Sequence, residues 1–215
     1  MRMATTTALG YDDLPALLTR LIGDEKHNRS AYSTLDVLWV LYDRVLGPDD
    51  RFLLSKGHGP AAFYAVLAAK GRLPVDALDG FGEYASMLGY HPDRNLVPGV
   101  EISSGSLGHG LPIAVGVALG GRRTFVLVGD GELDEGSNWE AVQWAGRTIG
   151  LENLTVVVVD NHSATHGWPG GIETRFALEG WDAERIDGRD HDALEAALRY
   201  QHDGRPRCVV AEVGG

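Results

Sequence analysis

The sequence predicts an α/β protein, a mainly parallel sheet flanked by helices. Two apolar runs of strand length, residues 124–128 and 154–159, each stop abruptly at a polar turn. A helical stretch, residues 138–149, lies between them. Downstream, strand-like runs at 183–186 and 208–213 alternate with helical patterns. A strand–helix–strand unit of this kind sets two parallel strands side by side with their carboxyl ends at one edge.

Taken in order, residues 1–10 read as a flexible arm, and residues 11–215 as a single α/β domain. Leucines at 14, 17, 18 and 21 have helical spacing, which predicts a helix over 12–22. Residues 35–45 form a second, strongly apolar helix, with Ser33 or Thr34 as its cap. Helices are predicted over 60–69 and, more briefly, over 74–81, where Pro74 suits an early position. Residues 82–107, rich in Gly, Pro and Ser, read as a long functional loop. A Gly- and Ala-rich helix over 108–119 can pack closely. After the central unit come a turn-rich loop at 164–172, a short helix over 174–178 and a helix over 191–200.

Composition narrows the function classes. The 215 residues are enough for a buried core. The net charge of −11 argues against binding a phosphate backbone, so nucleic acid is not expected. No apolar run approaches membrane-spanning length, and Met1 to Thr7 contains no apolar signal segment. The single cysteine, Cys208, precedes Val209 and Val210 and reads as a buried residue in a reducing compartment. A soluble, cytoplasmic protein is the expectation.

The chemistry concentrates where the two strands end. The first runs into Gly129-Asp130-Gly131-Glu132, and the second into Asp160-Asn161-His162-Ser163. Asp130 and Asn161 therefore share one sheet edge. A carboxylate and an amide oxygen there suit a hard cation such as Mg²⁺, completed by phosphate oxygens and water. Glycines at 129 and 131 permit a tight turn and a close phosphate, and the next helix points its N-terminus at the site. The dinucleotide fingerprint is excluded, because Asp134 stands where its third glycine belongs. A calcium loop is excluded by Glu135 and Ala141 at its glycine and closing-glutamate positions.

Gly129-Asp130-Gly131, Glu135-Gly136 and Asn161 with Gly167 resemble the thiamine-diphosphate motif of the transketolase family. The likeness covers nearly the whole chain. It is to the half that binds the cofactor's diphosphate, as in transketolases split into two subunits. It implies a thiamine-diphosphate-binding fold, with thiamine diphosphate and Mg²⁺ as cofactors. It places Asp130, Asn161 and the main-chain carbonyl of Ser163 on the metal. Leu54-Ser55-Lys56-Gly57-His58-Gly59 resembles the family's Ser-x-Gly-His segment, whose histidine approaches the diphosphate. Gly99-Val100-Glu101 through Gly105-Ser106-Leu107-Gly108-His109-Gly110 resembles a segment in which Gly105 and Leu107 would line the cofactor. His109 replaces the family's Gln there.

By the same likeness His27, upstream of Asp36, and His91, in Gly89-Tyr90-His91-Pro92, would handle the proton steps. The family's His-Pro-Gly has become His27-Asn28-Arg29, and Tyr90 separates Gly89 from His91. Glu135 would act behind the cofactor or across a subunit interface. The reaction implied is transfer of a two-carbon ketol unit from a ketose, phosphorylated in the usual family case, to an aldehyde. In this family the glutamate that activates the aminopyrimidine belongs to a separate domain. No such domain is recognised in these residues, so a pyrimidine-domain subunit is expected as partner, in a heterotetramer. Glu212 stands where the family commonly has Lys or Arg. Two alternatives stay open: a component of a thiamine-dependent α-keto acid decarboxylase or dehydrogenase, and a non-catalytic scaffold subunit.

Overall fold

The computed structural model describes residues 9–21, 28–57, 59–200 and 204–214. Among the described residues five strands form one sheet in the order β1-β2-β3-β5-β4: β1 Arg51–Leu54, β2 Thr124–Gly129, β3 Leu154–Asp160, β4 Asp182–Asp187 and β5 Arg207–Glu212. Every pairing is parallel, so the sheet is wholly rather than mainly parallel. The helices are α1 Leu14–Arg20, α2 Asn28–Val40, α3 Pro60–Ala69, α4 Gly110–Leu119, α5 Gly136–Gln143, α6 Ile172–Leu178 and α7 His191–Arg199.

The apolar runs explain the layers. Every residue of β2 and β3 is buried, as a strand covered on both faces requires. Side chains alternate between two cores. Phe125, Leu127, Val157 and Val159 face α2, α3 and α7, while Val126, Val128, Val156 and Val158 face α4, α5 and α6. Cys208 is fully buried on the second face, and burial pushes its thiol well above the usual range.

Several boundaries differ from the sequence reading. The second helix begins at Asn28, so Ser33 and Thr34 lie inside it instead of capping it. The Thr34 hydroxyl donates back to the Ala31 carbonyl at 2.9 Å. Both this helix and α5 end in π-helical turns, Leu41–Val45 and Trp144–Ile149. The short helix after Pro74 is a 3₁₀ helix, Val75–Gly80. Strand β1 is absent from the sequence reading, because a run of four residues carries too little periodicity to be seen. The arm at 1–8 lies outside the described residues.

Candidate functional site

Strand register alone brings the two predicted turns together. Gly129 pairs with Val159, so Asp130 and Asn161 leave adjacent strand ends. The Asp130 amide still donates to the Val159 carbonyl at 3.1 Å, and its backbone then bends into a 3₁₀ turn, Gly131–Asp134. Asp130 is fully buried. Its carboxylate accepts from the main-chain amides of Ser163 at 2.6 Å and Ala164 at 2.9 Å, and from the Ser163 hydroxyl at 2.7 Å. These are charge-assisted bonds, and they pull the turn after β3 onto the turn after β2. Gly131 faces that turn: a Cβ there would lie 3.5 Å from the Ser163 carbonyl oxygen.

The amide oxygen of Asn161 is buried and accepts no hydrogen bond from the described residues. Leaving such an acceptor unpaired costs about 1–3 kcal/mol. A cation at this edge would remove that cost. The donor set of one carboxylate, one amide oxygen and a nearby main-chain carbonyl is what a hard divalent cation takes while it keeps ligand oxygens from phosphate. The residues present therefore fit a metal and diphosphate. A hollow of about 370 Å³ opens beside Asp130, with Gly167 and Trp168 in its wall.

His91 sits across the long loop. Its ring lies against two glycines: a Cβ on Gly105 would come within 2.7 Å of its Cδ2, and one on Gly57 within 3.4 Å. Gly105 also has φ of 126°, which a side chain would strain. The loop itself is fixed at Tyr64, whose hydroxyl donates to the Gly89 carbonyl at 3.1 Å. Leu107 is exposed, and Glu135, at the start of α5, is exposed beside Gly108. His27 and His58 lie outside the described residues.

Two groups at this edge escaped the sequence reading. Lys56 is buried, with its stem along Gly129 and its ammonium donating to the Ser33 hydroxyl at 3.1 Å. Burial lowers its pKa to about 8, against the opposing pull of Asp130 and Glu132. Glu132 is buried too. It accepts from the Ser55 hydroxyl and, at 3.0 Å, from the Gly108 amide, and burial raises its pKa. The signal for both was an ionisable residue inside a Gly- and Ser-rich segment at a strand end. Without β1 in the reading, nothing placed Ser55 and Lys56 at such an end.

Residues 36–213 match the family described as transketolase, thiamine diphosphate binding domain. A protein of Rhodococcoides fascians named ferredoxin fas2 is 56% identical, over 96% of this chain and 73% of its own length. One subunit of the apulose-4-phosphate transketolase of Actinobacillus succinogenes is 34% identical, over 86% of this chain and 75% of its own. Among solved structures, transketolase from Leishmania mexicana superposes with a TM-score of 0.76 at 26% identity. That match covers 96% of this chain but 37% of the solved one.

Proposed function

The chain belongs to the transketolase family, and from that premise we propose that it is the diphosphate-binding subunit of a two-component, transketolase-like enzyme. The reaction would move a two-carbon ketol unit from a ketose, phosphorylated in the usual family case, to an aldehyde acceptor. The observation that carries this reading is the joined turn pair, in which buried Asp130 grips the Ser163 turn and Asn161 presents an unpartnered oxygen.

In this reading Asp130, Asn161 and the Ser163 carbonyl hold Mg²⁺. Gly129, Gly131, Gly105, Leu107 and His58 line thiamine diphosphate. When bound, that cofactor supplies the carbon nucleophile that carries the transferred unit. The protein positions the reactants and moves protons. His91 is suited to the proton steps because an imidazole can both take and give a proton, and its glycine bed fixes the ring. His27 would share that task. Residues 11–215 would act as one domain, in the cytoplasm.

A pyrimidine-domain partner, in a heterotetramer, would complete the site. Two observations support this. The Actinobacillus succinogenes relative is named as one subunit of its transketolase. In addition, α4 is apolar all round yet leaves Ile113 and Leu119 exposed, in one groove with exposed Trp144. A helix of that composition is normally covered on every side. Its exposed face borders the groove of about 490 Å³ that reaches His109 and Ser137, next to Glu135. Glu135 would then lie close to a subunit contact.

The α-keto acid reading is disfavoured by Ser55-Lys56-Gly57-His58 and by Gly105-Ser106-Leu107-Gly108-His109-Gly110. The scaffold reading is disfavoured by intact Asp130 and Asn161. The name ferredoxin does not transfer through the matched residues. An iron–sulfur cluster takes at least two thiolates and usually four, and this chain has one cysteine, buried in β5.

Calorimetric titration of the assembled pair with thiamine diphosphate and Mg²⁺ tests the reading, followed by a donor screen. Metal-dependent binding that Asp130→Ala abolishes, with ketose turnover, is expected. Binding indifferent to that substitution would end it, and turnover of pyruvate alone would favour the α-keto acid alternative.

A further inference from the structure

Lys56 is the one buried ammonium among the described residues, and it lies at the edge where a divalent cation would sit. Its position is over-determined. The amides of Ser55 and Lys56 both donate to the Leu127 carbonyl, at 2.8 and 3.0 Å, which docks the segment onto β2. The side chain then runs across Gly129, where an added Cβ would meet its Cγ, Cδ and Cε at 3.4–3.5 Å. The glycine before Asp130 therefore leaves room for a lysine stem as well as for a turn. The ammonium reaches Ser33 on α2 and feels both Asp130 and Glu132. Glu132 in turn is tied to Ser55, the residue before Lys56. Two carboxylates and one ammonium thus share a buried pocket, and one carboxylate is a proposed metal ligand.

We propose that Lys56 is a charge-balancing residue of the cofactor site, which tunes the pocket to take a metal–diphosphate pair and to hold a bare divalent cation only weakly. This rests on the reading of Asp130 as a metal ligand. With Lys56 present, the formal charge of Asp130, Glu132 and Lys56 is one negative unit. Without it the pocket carries two. A bare dication gains from the extra negative charge, whereas a metal–diphosphate complex, itself net negative, loses by it. At an effective dielectric of about 20, one unit charge roughly 10 Å away changes an affinity by about tenfold for each unit of ligand charge, and so by about 100-fold for a dication. A merely structural lysine would not move the two affinities in opposite directions.

The test uses the purified chain with Mn²⁺ alone, read as free ion by electron paramagnetic resonance, and with pyrophosphate in excess Mg²⁺, read by calorimetry. Lys56→Met is expected to tighten Mn²⁺ by about 100-fold and to weaken pyrophosphate by about tenfold or more. Glu132→Gln is expected to do the reverse. The double variant restores one negative unit and should return both affinities to near the parent's. If Lys56→Met fails to fold, Glu132→Gln and the double variant still decide. Equal losses of both ligands, or no change in either, would overturn the proposal and leave the Asp130 site standing. Mn²⁺ binding by the parent that survives Asp130→Ala would instead remove the site on which it rests.

Discussion

Two carboxylate clusters stand at the same edge of the sheet and have been resolved in opposite ways. At the ends of β3, β4 and β5, Asp160 and Glu212 meet a guanidinium from the chain itself. Arg185 lies 2.9 Å from Asp160 and 3.1 Å from Glu173, and it also pairs with Glu212. His162 adds a contact to Glu212 at 2.9 Å. At the ends of β2 and β3 the buried ammonium of Lys56 feels Asp130 but bonds Ser33 and makes no ion pair among the described residues, and no guanidinium there reaches Asn161. Asp130 is held by main-chain amides and a hydroxyl, and the Asn161 oxygen is left without a donor. Asp160, His162 and Glu212 are close enough to ligate a metal, but Arg185 already supplies their charge. A cluster closed by its own cation has little need of another, whereas one satisfied only from behind presents its front to a ligand.

The largest expected effect breaks the open cluster. Asp130→Ala should lower Mg²⁺-dependent thiamine diphosphate affinity by about 100-fold or more, as loss of a metal ligand and its support does. Calorimetry on the assembled enzyme checks this, and Asn161→Ala should act in the same direction. Next, Arg185→Met should turn the closed cluster into an open one. Uncompensated Asp160, Glu173 and Glu212 should cost about 3 kcal/mol in urea unfolding at neutral pH. Added Mn²⁺ or Zn²⁺ should recover part of that stability, and a variant indifferent to both ions would contradict the comparison. Gly105→Ala should push His91 off its bed, lowering kcat about tenfold with little change in cofactor affinity.

The smallest effect concerns a third, closed carboxylate. Asp36 accepts from Tyr11 at 2.5 Å, Arg189 at 2.7 Å and, as imidazole partner, His191 at 2.8 Å. Burial alone would raise its pKa, but the bonds from Tyr11, His191 and Arg189 outweigh it and the pKa is lowered. A depressed carboxyl pKa stabilises the fold fully above the unfolded value of about 3.9, and this stability is lost as pH falls through the folded value. Asp36→Asn should therefore cost about 1–2 kcal/mol at pH 7 and progressively less below pH 4, measured as urea midpoints across pH. A constant difference across that range would show that packing, not charge, is what Asp36 contributes.

The difference between the clusters was only partly legible beforehand. The runs ending at Asp130 and Asn161 could be read because fully buried parallel strands are continuous apolar stretches, and because Gly-Asp-Gly marks an abrupt turn. Helices α3 and α4 were equally plain, each opening near a Pro or Gly and running through unbroken apolar residues. Arg185 gave no such warning, since a charged residue in a strand looks like any solvated edge position. Lys56 was hidden for a related reason. Its strand, β1, is too short to show a period, and a lysine is presumed exposed unless a tertiary contact buries it.

By itself the sequence determined the α/β architecture, the shared edge of Asp130 and Asn161, and the likeness to the family to which the chain belongs. These follow from local periodicity, turn chemistry and the handedness of parallel crossovers, which need no knowledge of distant neighbours. Only the tertiary structure decided which carboxylates are already paired, that the Asn161 oxygen is left unmatched, and that an ammonium lies buried beside Asp130. Those outcomes depend on which side chains from separate elements meet, and on how much water is left around them when they do.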